Sequence, residues 1–275
     1  MMAAQTTPLP SVLLVGCGQM GSSMLEGWLA HGLKPSVVLD RHDRALPAPH
    51  KLAATLDAVP AEFQPDIIIL AVKPQKADEV LGALAQRFPN ATLLTVMAGR
   101  TVASLTACYT HSNPKAQPVI IRAMPNTPCA IGAGMSGLYA PPNATEEQKA
   151  QCDALLRAVG DTVWVAQEEQ MDSVTALSGS GPAYIFLLAE LLEKAGVEQG
   201  LPAETARTLA RKTIYGAGAL LNQSPVDAEE LRRRVTSPGG TTAEALKIFM
   251  APDAWPATVP QAVAAAARRA KELST

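Results

Sequence analysis

Residues 11–21 read Ser-Val-Leu-Leu-Val-Gly-Cys-Gly-Gln-Met-Gly, and this stretch decides the fold. The apolar run 11–15 is typical of a buried parallel strand, and a helix is predicted over 21–31 from its apolar spacing. Between them stands the pattern Gly16-x-Gly18-x-x-Gly21, and Asp40 follows Gly21 by 19 positions at the end of the next predicted strand. This context predicts a dinucleotide-binding loop and not an ordinary glycine turn.

The glycines of this loop have separate expected roles. Gly16 allows a tight turn, Gly18 admits the pyrophosphate of a dinucleotide, and Gly21 lets the helix pack closely on the strand. Gln19 and Met20 stand beside them and are also expected to contact the cofactor. The predicted cofactor is a nicotinamide dinucleotide, NADPH or NADH.

The residues after the second predicted strand leave the choice between these two cofactors open. Asp40 can accept a hydrogen bond from a ribose 2′-hydroxyl group, which favours NAD. Arg41, together with Arg44, can bind a 2′-phosphate, which favours NADP. Both arginines can equally be solvated surface charges, and the sequence does not separate these cases.

Strand and helix patterns alternate over the first part of the chain. Apolar runs such as 66–72 and 92–96 are predicted strands, and a helix is predicted between them over 76–87. The alternation predicts an α/β Rossmann-type fold with a doubly wound parallel sheet. We assign residues 1–167 to this dinucleotide-binding domain.

Strand patterns end near residue 167, and only helices are predicted over 168–275. The helix predicted over 182–195 is apolar nearly all round, which indicates a helix buried on every side. In so small a domain, such a helix predicts a core shared between subunits. Residues 168–275 are therefore expected to form an all-α substrate-binding and dimerisation domain. Within it, Ser224 is expected to cap a helix that has Pro225 at its first position.

Composition excludes several classes of protein. The chain has 275 residues, of which 48% are hydrophobic and 4% aromatic, and its net charge is −2. Without a basic stripe, nucleic-acid binding is not expected. Apolar runs are too short for a membrane span, and residues 1–10 do not resemble a signal peptide. Four widely spaced cysteines suit a reducing compartment, which we expect to be the cytoplasm, and four scattered histidines predict no metal site.

A second glycine-rich stretch lies far downstream, where residues 235–242 read Val-Thr-Ser-Pro-Gly-Gly-Thr-Thr. Small residues and hydroxyl groups ahead of a helix form a pocket for a small anion, because the first N–H groups of a helix are unpaired. We expect a substrate carboxylate here, bound by Ser237, Gly239, Gly240, Thr241 and Thr242. Thr241 and Glu244 also fit a capping box.

Two further loops follow predicted strands, where ligands bind in doubly wound folds. Ala71-Val72-Lys73-Pro74 is expected to contact the nicotinamide half of the cofactor through its backbone, and Lys73 is either a catalytic acid, a cofactor contact or a solvated lysine. Asn126 lies in a proline-rich loop. Its amide is expected either to contact the cofactor or to satisfy local backbone groups in a turn.

Taken together, these segments resemble the pyrroline-5-carboxylate reductase family. The resemblance runs along nearly the whole chain, and its motifs occur in the family's order. They are the glycine loop, residues 71–74, Arg-Ala-Met-Pro-Asn-Thr-Pro at 122–128, Leu-Ser-Gly-Ser-Gly-Pro-Ala-Tyr at 177–184, and the loop at 235–242. The last of these is the most specific. The first is shared with many dehydrogenases.

The resemblance implies NAD(P)H-dependent reduction of 1-pyrroline-5-carboxylate, a cyclic imino acid, to L-proline. It also implies that Ser237–Thr242 holds the substrate carboxylate and that the Thr242 hydroxyl lies near the ring nitrogen as the catalytic group. Family members form interlocked homodimers that often assemble into decamers. The chain departs from the family after this loop, because residues 248–256 replace a common Glu-x-x-Gly-Phe turn. That departure puts packing and assembly contacts in question.

The motifs themselves contain few acids suited to catalysis. A protonated imine is already electrophilic, so the protein's expected task is positioning. Other readings are another imine reductase or a β-hydroxyacid dehydrogenase on the same fold, and a non-catalytic protein that senses NAD(P). The dehydrogenase would need a catalytic lysine in the second domain, and the sensor would not need the loop at 235–242.

Overall fold

The computed structural model describes residues 9–274, which form two compact units. One unit extends to Gly179 and also includes the C-terminal segment from Ala266, and the other is Ser180–Ala265. The domain boundary expected between 167 and 168 stays a prediction. Most of the segment 1–10, for which no signal peptide was predicted, lies outside the described residues.

The first unit is an eight-stranded sheet with helices on both faces. Its elements are β1 (Val12–Val15), α1 (Gln19–Ala30), β2 (Val37–Leu39), β3 (Lys51–Ala53), β4 (Ile67–Leu70), α2 (Ala77–Arg87), β5 (Thr92–Thr95), α3 (Val102–Ser112), β6 (Val119–Met124), β7 (Gly134–Tyr139), α4 (Glu146–Arg157), β8 (Gly160–Trp164) and α5 (Gln170–Val174). The strand order is β3-β2-β1-β4-β5-β6-β7-β8. This arrangement confirms the predicted doubly wound fold.

One strand pair departs from the predicted parallel sheet. β6 and β7 pair antiparallel, with Arg122 opposite Tyr139 and Met124 opposite Gly137. A parallel neighbour needs a crossover of a dozen or more residues, and the segment 125–133 between these strands is too short for one. β8 then pairs parallel with β7, because α4 supplies the crossover.

The core of this unit lies on the two faces of the sheet. Leu14 faces one side with α1 and α4, and Leu13 faces the other with α2 and α3. The two large aromatic residues in these layers keep their polar atoms bonded: Trp28 Nε1 donates to the Leu155 carbonyl at 2.7 Å, and the Tyr109 hydroxyl donates to the Phe88 carbonyl at 2.6 Å. The apolar strands are buried on both faces, as expected of a parallel sheet.

The second unit is helical. It contains α6 (Gly181–Glu198), α7 (Ala203–Gln223), α8 (Ala228–Arg234), α9 (Thr241–Phe249) and the start of α10 (Trp255–Leu273). Residues 250–254, part of the segment that departs from the family's turn, connect α9 to α10. The rings of Phe249 and Trp255 lie 4.5 Å apart between centroids, so an aromatic contact joins the two helix ends.

Within a single chain, α6 is not buried on every side, which corrects the prediction for 182–195. Phe186 is 65% exposed and Leu187 is 54% exposed. Exposed apolar surface of this extent is typical of an interaction site. The helical stretch Gln170–Glu198 also has the length and composition of a membrane span, a test that core helices of soluble proteins pass as well.

The predicted helix start at Ser224 is wrong. The Ser224 N–H donates to the Leu220 carbonyl at 3.0 Å, so Ser224 ends α7. Its hydroxyl accepts a hydrogen bond from the Val226 N–H at 3.1 Å, and α8 begins only at Ala228. Pro225 explains why α7 ends there, because proline disfavours helical conformation in the residue before it.

Candidate functional site

The first glycine loop is held between the ends of two strands. Gly16 has a φ of +86°, and a Cβ there would lie 2.8 Å from Val72 Cγ1 and 2.9 Å from the Ala71 carbonyl oxygen. The Gly16 N–H donates to the Leu39 carbonyl at 2.9 Å. Only glycine fits both this backbone conformation and this contact.

The other two glycines of the loop have opposite surroundings. A Cβ on Gly21 would lie 2.6 Å from the Gly16 carbonyl oxygen, so the close packing expected of the third glycine is present. A Cβ on Gly18 would meet nothing within 4 Å. Gly18 is the residue before α1, and the first hydrogen bond of that helix runs from the Ser22 N–H to the Gly18 carbonyl at 2.8 Å. The open space and the unpaired N–H groups at a helix start fit a pyrophosphate.

Gln19 and Met20 form the first turn of α1. The Met20 sulfur lies 3.6 Å from Cys129 Sγ, inside the core of the first unit. Any contact from Met20 to a pyrophosphate would therefore come from its backbone N–H.

Asp40 is bonded to the loop itself. Its Oδ2 accepts the Cys17 N–H at 2.6 Å, and its Oδ1 accepts the His42 N–H at 2.8 Å and His42 Nδ1 at 2.9 Å. Burial acts to raise the pKa of Asp40, but the hydrogen bonds from the His42 and Cys17 backbone outweigh it, so the pKa lies below its usual value. The carboxylate thus stabilises the turn that presents Gly18.

Arg44 bonds to the same loop from the carbonyl side. Its Nη2 donates to the Cys17 carbonyl oxygen at 2.9 Å. Asp40 and Arg44 therefore bond the N–H and the C=O of a single residue. Arg41, in contrast, is exposed to solvent.

A cavity of about 660 Å³ lies at the carboxyl ends of β1, β2 and β4. This volume is in the range of small-molecule and cofactor sites. Of the predicted cofactor residues, those that border the cavity are Gly16, Gly18, Asp40, Arg41, Ala71, Val72 and Lys73. Gln19, Met20, Gly21, Pro74 and Asn126 do not border it.

The cavity is also lined by residues that the sequence motifs did not predict. They include His42, Thr55, Leu56, Lys76 and Glu79. His42 lies three residues after the end of β2, and Thr55 lies two residues after the end of β3. The rule that ligands bind beyond strand ends could therefore have found them. Leu56 and Lys76 belong to short helical segments and Glu79 to the first turn of α2. None of them is part of a motif, and only the fold brings them to the cavity.

Asn126 connects three parts of the first unit. Its side-chain N–H₂ donates to the carbonyl and the hydroxyl oxygen of Ser178, at 3.2 and 3.3 Å. Its Oδ1 accepts the Met135 N–H at 2.9 Å, and the residue is 9% exposed. Asn126 thus satisfies backbone groups, although distant ones and not those of its own turn. Its contact with a cofactor stays a prediction.

The downstream loop lies between α8 and α9. Gly239 has a φ of +70°, and the Gly240 N–H donates to the Ser237 carbonyl at 3.1 Å. The expected capping box is wrong, because Gly240 precedes the helix, and Thr241 is its first residue. No side chain caps this helix start, and the Glu244 carboxylate accepts Lys247 Nζ at 2.6 Å instead.

This correction leaves the start of α9 open to a ligand. The first helical hydrogen bond runs from the Glu244 N–H to the Gly240 carbonyl at 3.3 Å, so the N–H groups of Thr241 and Thr242 precede the hydrogen-bonded ladder. A Cβ on Gly240 would lie 2.6 Å from Ser237 Oγ. The Ser237 hydroxyl thus lies directly over Gly240, at a helix N-terminus that favours an anion.

Among residues 9–274, no group of three or more His, Cys, Asp or Glu side chains is placed to hold a metal ion.

Two family models match segments of this chain. Residues 168–273 match the family model for pyrroline-5-carboxylate reductase dimerisation, and residues 11–99 match the model for coenzyme F420-dependent NADP oxidoreductases. Pyrroline-5-carboxylate reductase from Pseudomonas aeruginosa is 39% identical over 96% of this chain and 97% of its own. The enzyme of that name from Arabidopsis thaliana is 36% identical over 97% and 98%.

The chain belongs to the pyrroline-5-carboxylate reductase family. Solved structures agree with this. The pyrroline-5-carboxylate reductase of Coxiella burnetii superposes with a TM-score of 0.86 at 31% identity, over 97% of this chain and 99% of its own. The Plasmodium falciparum pyrroline carboxylate reductase, solved with NADP bound, gives 0.81 at 28% identity over 97% and 98%. The family model that matches residues 11–99 likewise names NADP.

Proposed function

We propose that this reductase converts 1-pyrroline-5-carboxylate to L-proline with NAD(P)H. The observation that carries the proposal is the 39% identity to a reductase of this name, over nearly the full length of both chains. At that sequence identity and coverage, we infer that this chain and the relative share one architecture that includes both glycine loops.

The first loop is proposed to bind the cofactor. The open side of Gly18 and the start of α1 would hold the pyrophosphate, with Gly16, Gln19, Met20 and Gly21 forming the turn. The backbone of Ala71–Pro74 would hold the nicotinamide half, and Asn126 would keep its own loop in place. When bound, the reduced nicotinamide supplies a hydride to the imine carbon.

The second loop is proposed to bind the substrate. The Ser237 hydroxyl and the N–H groups of Gly239–Thr242 would hold the carboxylate. The substrate would enter as the protonated imine, so the hydride alone completes its conversion to an amine, and the Thr242 hydroxyl would hydrogen-bond the ring N–H without giving up a proton. Such fixed positioning accounts for a large part of enzymatic rate enhancement, so the scarcity of strong acids in the loop is no obstacle.

The assembly follows from the dimerisation domain. A family model with that description spans 168–273, and α6 has apolar side chains exposed in the single chain. We propose a homodimer as the basic unit, with a decamer as its higher assembly, in the cytoplasm. Nucleic acid and membrane are not among the proposed partners.

The decisive experiment tests both the substrate and the direction of the reaction. Purified protein is incubated with 1-pyrroline-5-carboxylate and NADPH, and proline is measured by mass spectrometry. The same gene is tested for rescue of a proline auxotroph. Proline formation with rescue supports the proposal. A folded protein that binds the cofactor and forms no proline contradicts it.

A further inference from the structure

One charged residue lies inside the apolar strand β6. Arg122 is 5% exposed, and the other side chains of the strand are apolar. Its register partner on β5 is Thr95, the last residue of that strand. Arg122 therefore lies at the carboxyl edge of the sheet, where ligands bind in doubly wound folds. A buried guanidinium is costly unless a partner compensates its charge, so its partner identifies what the residue is for.

The partner is Glu168, which follows β8 and is the first residue of the segment that matches the dimerisation family model. Arg122 Nη1 donates to Glu168 Oε1 at 2.8 Å, and the Glu168 side chain is 19% exposed. The same oxygen accepts the Val102 N–H at 2.7 Å. Val102 begins α3, and a carboxylate is favoured at the positive end of a helix. One carboxylate oxygen thus joins the start of α3 to β6.

These three residues, Val102, Arg122 and Glu168, form a junction between two loops at the carboxyl edge of the sheet. The first loop, residues 96–101, connects β5 to α3 and ends directly before Val102. The second loop, residues 125–133, follows β6. Because Glu168 bonds both Val102 and Arg122, the junction fixes the end of the first loop relative to the strand that leads into the second.

The first loop also begins beside residues that are expected at the cofactor. The Val96 N–H donates to the carbonyl of Leu70, which directly precedes Ala71, at 3.1 Å. Ala71 borders the 660 Å³ cavity, and so does Asp40 after β2. In the strand order β2-β1-β4-β5-β6, a dinucleotide with its adenosine half at β2 extends its nicotinamide half toward β5 and β6. The two loops of the junction therefore lie on the nicotinamide side.

We propose that Arg122 and Glu168 are positioning residues, which hold the loops 96–101 and 125–133 in place for the nicotinamide half of the cofactor. They act through the backbone of Val102 and through β6, and neither touches the reacting atoms. The proposal rests on the proposed function in taking a nicotinamide dinucleotide as the cofactor.

The first glycine loop is held by other contacts. Its hydrogen bonds go to Leu39, Asp40 and Arg44, all of which come from β2 and the segment after it. Disruption of the junction is therefore expected to weaken binding of the nicotinamide ring and to leave binding of the adenosine half unchanged. A residue that only stabilises the fold would not separate the two halves in this way.

The test compares two ligands by calorimetry on the full-length protein, so it needs no turnover. NADH and ADP-ribose share the adenosine, the pyrophosphate and the second ribose, and only NADH has the dihydronicotinamide ring. The wild type is expected to bind NADH at least about tenfold tighter than ADP-ribose, a difference of the order that one hydrogen bond provides. Equal affinity for the two ligands would overturn the proposal.

The test variant replaces both members of the ion pair. Arg122→Met alone leaves the Glu168 carboxylate buried without its partner, which strongly destabilises a fold. In Arg122→Met combined with Glu168→Gln, the glutamine oxygen can still accept the Val102 N–H. We expect this variant to bind NADH roughly tenfold more weakly than the wild type and ADP-ribose within about twofold. Equal losses for both ligands would show a general structural role and overturn the proposal, as would no loss for either.

The matched control removes an ion pair elsewhere in the first unit. Lys149→Met combined with Glu146→Gln breaks a pair on the surface of α4, where the two charged atoms lie 2.8 Å apart, and it also leaves the net charge unchanged. It should alter neither affinity, and a selective loss of NADH affinity as large as in the test variant would contradict the assignment. Arg122→Lys keeps the buried charge and should retain part of the NADH affinity.

Failure of this proposal and failure of the proposed function are distinguishable. A protein that loses NADH affinity selectively in the test variant, but whose wild type forms no proline, contradicts only the reductase function. A wild type that forms proline, with a test variant that shows no selective loss, contradicts only the positioning role of Arg122 and Glu168.

Discussion

At the scale of single residues, the hydrogen bonds at the two glycine loops could not be predicted from the sequence motifs. The Asp40 carboxylate, which the sequence offers as a ribose ligand, accepts the Cys17 N–H at 2.6 Å. The expected cap at Thr241 is absent, because Gly240 occupies that position. Both observations concern the hydrogen-bond partners of a polar group. The missing cap corrects a prediction, whereas the contact of Asp40 with a cofactor stays a prediction.

Thr242→Ala tests the proposed catalytic hydroxyl. We expect kcat/KM for the imine to fall by roughly 10- to 100-fold, because one hydrogen bond to a charged ring nitrogen is lost. The dissociation constant for the dinucleotide, measured by fluorescence, should stay nearly unchanged. Thr242→Ser keeps the hydroxyl and should retain most activity. An equal loss of cofactor affinity would contradict the assigned role.

Gly240→Ala tests the carboxylate pocket. The new Cβ would lie 2.6 Å from Ser237 Oγ, so the hydroxyl must move away from the helix start. We expect KM for the imine to rise by about tenfold, the worth of one charged hydrogen bond. The matched control is Ser237→Ala combined with Gly240→Ala. If displacement of the hydroxyl is the cause, the double variant should be little worse than either single one.

The lowered pKa of Asp40 predicts how the stability of the folded protein changes at acid pH. A carboxyl whose folded pKa is lowered stabilises the protein above its unfolded pKa, about 3.9, and this stabilisation is lost as pH falls through the folded value. Asp40→Asn should therefore lower the melting temperature at neutral pH and show a shallower loss below about pH 4 than the wild type. Parallel acid profiles for the two proteins would contradict this.

At the scale of elements, a single side chain of α2 supports one wall of the cavity. Arg87 Nη1 donates to the Leu56 carbonyl, and Nη2 donates at 2.9 Å to Val59 and at 2.7 Å to Pro60. Leu56 borders the cavity. The strand and helix positions around it were predictable from apolar spacing, but this connection between distant segments was not.

Arg87→Met is expected to destabilise the fold by roughly 2 kcal/mol or more, since three carbonyl groups lose a charged donor. Chemical denaturation measures this change. Arg87→Lys keeps the charge but not the fork of donors and should recover only part of the stability. We also expect weaker cofactor binding in Arg87→Met, because Leu56 loses its support. Unchanged stability in both variants would contradict the structural role.

At the scale of the whole molecule, the apolar pattern of α6 predicted burial, and in a single chain that burial is absent. The exposed side chains include Phe186, Leu187 and Leu191. An apolar pattern indicates that the side chains of a helix are buried, but it does not indicate which chain buries them. The dimerisation family model over 168–273 supports the proposal that a second copy of this chain covers α6.

Phe186→Glu tests the assembly. We expect the wild type to be at least a dimer by light scattering at micromolar concentration. The variant should shift toward monomer, because a buried charge at an apolar interface is costly. Lys115→Glu, on the surface of the first unit, changes charge without touching α6 and should leave the mass unchanged. A monomeric wild type would contradict the proposal.

The sequence by itself determined the fold class, the two glycine loops and most element positions. Glycine spacing and apolar periodicity are local properties, so they can be recognised in the sequence without knowledge of distant contacts. Only the tertiary structure decided that β7 runs antiparallel to β6, that Asp40 and Arg44 bond Cys17, and that Asn126 joins Ser178 to Met135. The physical reason is that a hydrogen bond depends on two atoms within about 3 Å, and only the folded chain sets that distance for residues far apart in sequence.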